Sequence, residues 1–158
     1  MVVNWKFDDM FSQSLITDYD IDKDGSFNDK ELKVLYNGAF INLKNYGYFM
    51  HIKIDGKKYK IDKVEKFYAF IEEGVCYSFV ISCNIKLNKS KRKICFSVYD
   101  PSYYCDVSKM TKYSVFLENA DNIDYNISIA ENENDAFYYG QIAPQELLIT
   151  MRLKDNEE

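Results

Sequence analysis

Residues 20–31, which read DIDKDGSFNDKE, place carboxylates at alternate positions in front of a glycine. Like charges this close repel one another, and a bound cation readily offsets the repulsion. Gly25 permits a sharp turn that a residue with a Cβ atom resists. A hard divalent cation takes about six to eight oxygen ligands at roughly 2.3–2.6 Å, and this segment is rich in such oxygens. The segment therefore predicts a turn that binds a divalent metal ion.

The spacing within this segment matches the twelve-residue calcium loop of an EF-hand, so Ca²⁺ is the predicted cofactor. The predicted ligands are the side chains of Asp20, Asp22 and Asp24, the main-chain carbonyl of Ser26, Asn28 directly or through a water molecule, and both carboxylate oxygens of Glu31. Phe27 takes the apolar eighth position, whose side chain should point into the fold. The competing interpretation is an acidic Asp-Gly turn between two helices that binds no ion.

Apolar residues on both sides of the loop recur at helical spacing. The stripe before the loop is Phe7, Met10, Phe11 and Leu15, and the stripe after it is Leu32, Leu35, Tyr36, Ala39, Phe40 and Leu43. Asp8 and Asp9 are placed to cap the first helix, and Gly47 to end the second. We predict an EF-hand-like helix–loop–helix over residues 1–47, with both stripes in the core.

From residue 48 onward the apolar pattern changes to that of short β-strands. Strands are predicted at 48–54, 57–64, 67–71, 76–87, 93–99, 112–118, 125–130 and 147–153, with a short one at 137–141. Asp55-Gly56 predicts a two-residue hairpin turn, and residues 88–92 predict a hairpin between strands 76–87 and 93–99. The predicted fold class is therefore α+β, with the helix–loop–helix packed on a mainly antiparallel β-sandwich over residues 48–158 as one compact unit.

Composition and charge argue against several classes of function. The net charge of −5 and the lack of a basic face argue against nucleic-acid binding. The single basic cluster, residues 89–93, is interpreted as a solvated turn. No apolar run is long enough to span a membrane, and the chain as given shows no signal-peptide pattern at its start.

Residues for catalysis or zinc binding do not form a recognisable pattern. His51 is alone within a predicted strand, and no nucleophile–base–acid arrangement accompanies it, so we do not predict an enzyme. The four cysteines, Cys76, Cys83, Cys95 and Cys105, lack zinc-ligand spacing. Buried thiols are the favoured interpretation, and a disulfide between neighbouring strands, for instance Cys83 with Cys95, is the alternative.

Three segments together resemble a bacterial family, the proteins grouped as domain of unknown function 1007. They are residues 3–12, residues 20–46 and residues 96–104, and the resemblance extends to residue 144. It implies the periplasmic component of an uncharacterised transport system, in some members associated with transition metals, with no established catalytic residues. The turn at Asp100-Pro101 is shared with that family and is interpreted as structural, with ligand contact as the alternative.

These observations support two functions of different classes. The first is a non-enzymatic, calcium-binding periplasmic or exported protein in which one EF-hand loop has a structural role. The alternative is a solute- or metal-binding accessory component of a transport system, in contact with membrane transporter subunits, whose ligand is held by the β domain. A calcium-regulated switch is less favoured because such hands are normally paired, and residues 121–126 lack the glycine and the spacing of a second loop.

Overall fold

The computed structural model describes residues 1–110 and 115–154. The chain forms two compact units, which we call unit 1 (Met1–Tyr48 and Ile61–Asn84) and unit 2 (Phe49–Lys60 and Ile85–Glu158). The helices therefore share a unit with strands that follow residue 60. The sequence-based boundary between residues 47 and 48 stays a prediction.

The fold is α+β with two antiparallel sheets, which confirms the predicted class. The helices are α1 (Asp9–Tyr19) and α2 (Asp29–Gly38), followed by a 3₁₀ segment at Phe40–Phe49. The strands are β1 (Val2–Lys6), β2 (Met50–Ile54), β3 (Lys57–Tyr59), β4 (Lys66–Ile71), β5 (Val75–Val80), β6 (Arg92–Val98), β7 (Ile123–Glu131) and β8 (Gln145–Leu153). None of the helices in the described part of the chain has the length and apolar character needed to cross a membrane.

Helix α1 begins as predicted, whereas α2 ends earlier than predicted. The Asp8 side chain caps α1 by accepting a hydrogen bond from the Phe11 N–H at 2.8 Å. Helix α2 ends at Gly38, whose carbonyl accepts a hydrogen bond from the Asn42 side chain. Gly47 therefore does not end α2; it lies in the 3₁₀ segment with a left-handed φ of 61°.

The predicted apolar stripe of the first helix is only partly buried. Leu15 is 4% exposed, but Met10 is 81% exposed and Phe11 is 46% exposed. The prediction of a buried stripe is therefore wrong for these two residues. Helical spacing places side chains on one face but does not fix how wide a face the neighbouring sheet covers.

The sheet of unit 1 has the order β1-β5-β4, with β5 in the centre. Strand β1 corrects part of the predicted helix–loop–helix over residues 1–47: Phe7 fits the spacing of the helical stripe, but residues 2–6 form a strand that pairs with β5. The predicted hairpin between strands 76–87 and 93–99 is wrong. Strand β5 ends at Val80 and pairs with β1 and β4, while β6 pairs with β2 and β8.

Aromatic rings fill the core of unit 1 around Phe40, which is fully buried. Its ring centroid lies 4.1 Å from that of Phe67 and 5.2 Å from that of Phe79. Tyr77, in the central strand, is 2% exposed and packs 4.7 Å from Phe7. Burial raises the pKa of the Tyr77 phenol strongly, so this side chain is neutral in the folded protein.

Ser12 joins α1 to the start of β5 through one buried hydroxyl. The Val75 N–H donates to Ser12 Oγ at 2.8 Å, and Ser12 Oγ donates to the Phe7 carbonyl at 3.4 Å. Ser12 is 1% exposed, so water has no access to replace either bond.

Ser12→Ala is expected to lower the free energy of unfolding by about 1–3 kcal/mol, because it leaves the buried Val75 N–H without an acceptor. Urea unfolding measures this loss. Ser14→Ala is the matched control, since Ser14 is an exposed residue of the same helix whose hydroxyl donates to the Met10 carbonyl. Equal losses in the two variants would contradict the assigned role of Ser12.

The sheet of unit 2 has the order β3-β2-β6-β8-β7. Its β2–β3 hairpin turns at Asp55 and Gly56, both with positive φ, as the sequence predicts. The expected short strand at 137–141 is reduced to a single bridge between Phe137 and Ile142. The expected strand at 112–118 falls partly outside the described residues, and residues 115–118 are not in a strand.

One face of this sheet carries the apolar core of unit 2. Its buried side chains are Met50, Ile52, Ile94, Phe96, Leu147 and Ile149. They alternate along β2, β6 and β8 with residues that point to the opposite face. The opposite face is therefore available for polar side chains.

Candidate metal site

The loop between α1 and α2 brings three of the predicted ligands together. One carboxylate oxygen from each of Asp20, Asp22 and Asp24 lies within 4.8 Å of the others. Asp20 is 5% exposed, whereas Asp22 and Asp24 are exposed. The cluster thus has one buried carboxylate, that of Asp20, and two carboxylates that face solvent, those of Asp22 and Asp24.

Hydrogen bonds from the loop backbone hold the Asp20 carboxylate. Its Oδ1 accepts from the Asp24 N–H at 3.2 Å, and its Oδ2 accepts from the Gly25 N–H at 3.1 Å. Gly25 has a φ of +83°, a left-handed conformation that favours glycine. The glycine predicted to make the sharp turn therefore does so, and its N–H fixes the first carboxylate.

Glu31 is 2% exposed and fastens the beginning of the loop to its end. Its Oε1 accepts from the Ile21 N–H at 2.7 Å and from the Asp22 N–H at 3.3 Å, and its Oε2 accepts from the Asn28 N–H at 2.9 Å. The Asn28 N–H contributes most to holding the pKa of the Glu31 carboxyl below its usual range; burial opposes it, and the other two N–H groups add to it. A metal-binding carboxylate must be ionised, so these hydrogen bonds favour the form that binds.

Asn28 serves mainly as the N-cap of α2. Its Oδ1 accepts from the Lys30 N–H at 3.0 Å and from the Glu31 N–H at 3.2 Å, and together with Glu31 it forms a capping box. Its Nδ2 donates to Asp22 Oδ2 at 3.2 Å. Because the amide oxygen is engaged by the helix, this geometry suits the predicted contact through a water molecule better than direct ligation.

The remaining predicted loop residues are arranged as follows. Ser26 donates to Asp24 Oδ1 from both its N–H and its Oγ, each at 2.8 Å. The ligand role predicted for the Ser26 carbonyl stays a prediction. Phe27 is 8% exposed, so its side chain is buried as expected.

The chemistry of this donor set fits a hard divalent cation. The three clustered side chains and Glu31 offer only carboxylate oxygens, the ligand type that Ca²⁺ prefers. A carboxylate oxygen has two lone pairs, so each Asp20 oxygen, which accepts one N–H, keeps a lone pair for a metal, whereas Glu31 Oε1 and Asp24 Oδ1 each accept two hydrogen bonds. The three clustered carboxylates are therefore ligands of the type that a hard divalent cation takes, while the part of Glu31 in the site stays a prediction.

Two other candidates from the sequence analysis lie in unit 2. His51 stacks on Tyr99 with ring centroids 3.9 Å apart, as a packed residue would. Asp100 is 6% exposed and accepts from the N–H groups of Ser102, Tyr104 and Cys105 and from the Ser102 hydroxyl. Burial works to raise the pKa of the Asp100 carboxyl, but these hydrogen bonds, with those from Ser102 first, hold it below its usual range.

The turn predicted at Asp100 is thus organised by its own carboxylate, while ligand contact there stays a prediction. The four cysteines are free thiols in the structure; Cys105 is exposed and the others are half-buried. Burial raises the pKa of Cys83, Cys95 and Cys105, which disfavours their nucleophilic thiolate form.

Two comparisons with known proteins match this chain, one to a family and one to a relative. A family described as "Protein of unknown function (DUF1007)" matches residues 1–143. A relative from Spirochaeta aurantia, named "Uncharacterized 15.5 kDa protein in trpE 3'region", is 31% identical over 137 residues, which cover 86% of this chain and 97% of the relative. No solved structure matches the chain.

Proposed function

The chain belongs to the DUF1007 family of proteins of unknown function, and we propose that it is a non-enzymatic calcium-binding protein with a single EF-hand loop in a structural role. The observation that carries the proposal is the cluster of Asp20, Asp22 and Asp24 around one point of the loop between α1 and α2. Three carboxylates within 4.8 Å of one another repel, and a cation offsets this repulsion.

In this proposal the clustered aspartates and Glu31 hold the ion, with Asn28 contributing through water and Ser26 through its carbonyl. Calcium supplies two positive charges that offset the repulsion among the carboxylates. The chain's own residues set the position of the ligands: the Gly25 N–H fixes Asp20, and the N–H groups of Ile21 and Asn28 fix Glu31.

The structural role follows from what the loop connects. It joins α1 to α2, and these helices contact β5 and β4 of the same unit. Phe27, inside the loop, is part of the buried core. An ion that orders residues 20–31 would therefore stabilise the packing of both helices in unit 1.

The proposal includes a periplasmic or exported location, which the family resemblance implies. The alternative function, a solute- or metal-binding accessory component of a transport system that contacts membrane subunits, requires a ligand site in the β domain. A cavity of unit 2 that is lined by His51, Lys53 and Lys58 supports that alternative.

Titration calorimetry with calcium tests the proposal. We expect one site with a dissociation constant of roughly 10⁻⁴–10⁻³ M, as in extracellular calcium modules. Two of the three clustered carboxylates are exposed, and the sequence holds no second loop to order the first. Part of the attraction is therefore offset by the entropy lost on ordering the loop.

Asp22→Asn should weaken this binding about tenfold or more, because it removes one of the clustered charges. Asp29→Asn is the matched control: it makes the same change at an exposed residue in the first turn of α2, outside the cluster. No heat of binding at millimolar calcium would overturn the proposal. A submicromolar constant with a large exposure of apolar surface would instead favour a regulatory switch.

A further inference from the structure

A second group of functional side chains lies on the polar face of the five-stranded sheet in unit 2. His51 pairs across the strands with Ser97, and Lys53 pairs with Cys95. Directly paired residues share a face of the sheet, and this face is opposite to that of the buried Met50 and Ile52. The sheet thus presents ionisable groups on a rigid support.

A cavity of about 140 Å³ opens beside β2 and β3, where it is lined by residues of this face and also by Met50 and Ile52. Its polar and aromatic lining comprises His51, Lys53, Lys58, Tyr59, Tyr99 and Asp135. This volume is below the roughly 300–1,000 Å³ typical of pockets for drug-sized ligands. The cavity therefore suits a ligand of few non-hydrogen atoms.

The charges around the cavity are not balanced. The register of β2 and β3 places Lys53 directly opposite Lys58, and like charges in that position destabilise a strand pair. Asp135 pairs with Lys53, and the Asn132 side chain holds Asp135 by donating to its Oδ2 at 3.1 Å. Lys58 is exposed and has no ion pair within residues 1–110 and 115–154, so it is the lysine of the lining whose charge no carboxylate of the lining offsets.

The stacked rings of His51 and Tyr99 form one wall of the cavity. His51 stacks on Tyr99, and Tyr99 stacks on Phe137 with centroids 4.4 Å apart. The His51 Nε2 lies 3.2 Å from the Tyr99 carbonyl, which can only accept, so Nε2 carries the proton. Burial, the largest influence, lowers the pKa of His51, which keeps the ring neutral near pH 7.

We propose that this cavity binds a small monocarboxylate, with the carboxylate against Lys58 and the apolar part against the His51–Tyr99 wall. A single negative charge matches the single uncompensated lysine, whereas a doubly charged phosphate exceeds it. The site is built from unit 2 alone and does not depend on the calcium loop, so either proposal can fail without the other.

Solution NMR can test this site on the full-length protein. Backbone amide shifts are followed while acetate, benzoate or inorganic phosphate is added at constant pH and ionic strength, with and without calcium. We expect saturable shifts at β2, β3 and the residues around Tyr99 for the carboxylates, with benzoate or acetate bound at least about tenfold more tightly than phosphate.

Lys58→Gln should weaken carboxylate binding roughly 10- to 100-fold, the range for losing a hydrogen bond to a charged group. Lys57→Gln is the matched control, because Lys57 is the neighbouring residue on β3 and pairs with Ile54, away from the cavity. We expect it to change the affinity by less than about twofold.

Three results would overturn the assignment: equal losses in the two variants, tighter binding of phosphate than of carboxylates, or shifts that do not saturate. The calcium titration of Lys58→Gln should match that of the unchanged protein. A loss of calcium binding in this variant would show that the substitution disturbs the whole chain, and would also contradict a role for Lys58 confined to the cavity.

Discussion

Phe40→Ala is expected to lower the free energy of unfolding by about 3–5 kcal/mol, the usual cost of removing a buried phenylalanine ring. Phe40 is fully buried and lies among the rings that join the helical segment to the sheet of unit 1. Its removal leaves a cavity that rings such as Phe67 and Phe79, packed on several other residues, cannot close. Trp5, the single tryptophan, packs with its ring perpendicular to that of Phe79, so its fluorescence reports the unfolding of this core.

Phe70→Ala is the control for this substitution. Phe70 is on β4 but 42% exposed, so the same chemical change should cost under about 1 kcal/mol. A loss for Phe40→Ala no larger than that for Phe70→Ala would contradict the assignment of Phe40 to the centre of this core.

The local features of the chain could be predicted from sequence because each depends on neighbouring residues. The turn at Asp55-Gly56 needs positive φ at both positions, and this dipeptide is typical of such turns. The cap of α1 by Asp8 and the sharp turn at Gly25 depend in the same way on a few adjacent residues. Local chemistry therefore predicted the start of α1 and these two turns, whereas α2 ends earlier than predicted.

Strand pairing could not be predicted in the same way, because it depends on residues distant in sequence. The strand at residues 76–87 was paired with its next neighbour, whereas β5 pairs with β1, more than 60 residues away. Short aromatic and β-branched stretches fit several partners equally well, and only burial of a shared face selects among them. For the same reason the sequence did not predict that Lys53 pairs with Lys58, nor that a cavity lies beside these residues in unit 2.

Within the candidate metal site, three of the six predicted ligands, Asp20, Asp22 and Asp24, lie together, and the spacing did not predict how the others are used. The spacing alone placed the three aspartates around one point. The use of the Asn28 oxygen as a helix cap follows from its position at the start of α2, a second requirement on the same residue. When a metal-binding loop ends inside a helix, the same residues must supply ligands to the ion and cap the N–H groups of the helix N-terminus.

Calcium is expected to raise the thermal midpoint of the protein, since an ion that binds only the folded state stabilises it by mass action. At a free concentration one hundred times the dissociation constant the gain is about 2.7 kcal/mol, or roughly 5–10 °C for a chain of this length. Differential scanning fluorimetry at matched ionic strength, with magnesium in place of calcium as the reference, measures the increment.

Glu31→Gln should remove most of this increment, because it deletes a charged ligand of the ion. The same substitution weakens the hydrogen bonds to the N–H groups of Ile21 and Asn28, so the variant should already melt earlier without calcium. The test is therefore the difference between the melting midpoints with and without calcium, not the midpoint itself.

Asp22→Asn, at an exposed position, gives a second test in a variant whose fold is less disturbed, and Asp29→Asn should retain the full increment. If Glu31→Gln and Asp22→Asn both respond to calcium as fully as Asp29→Asn does, the ion does not bind in this loop, and the acidic segment is a turn held together by its own backbone hydrogen bonds.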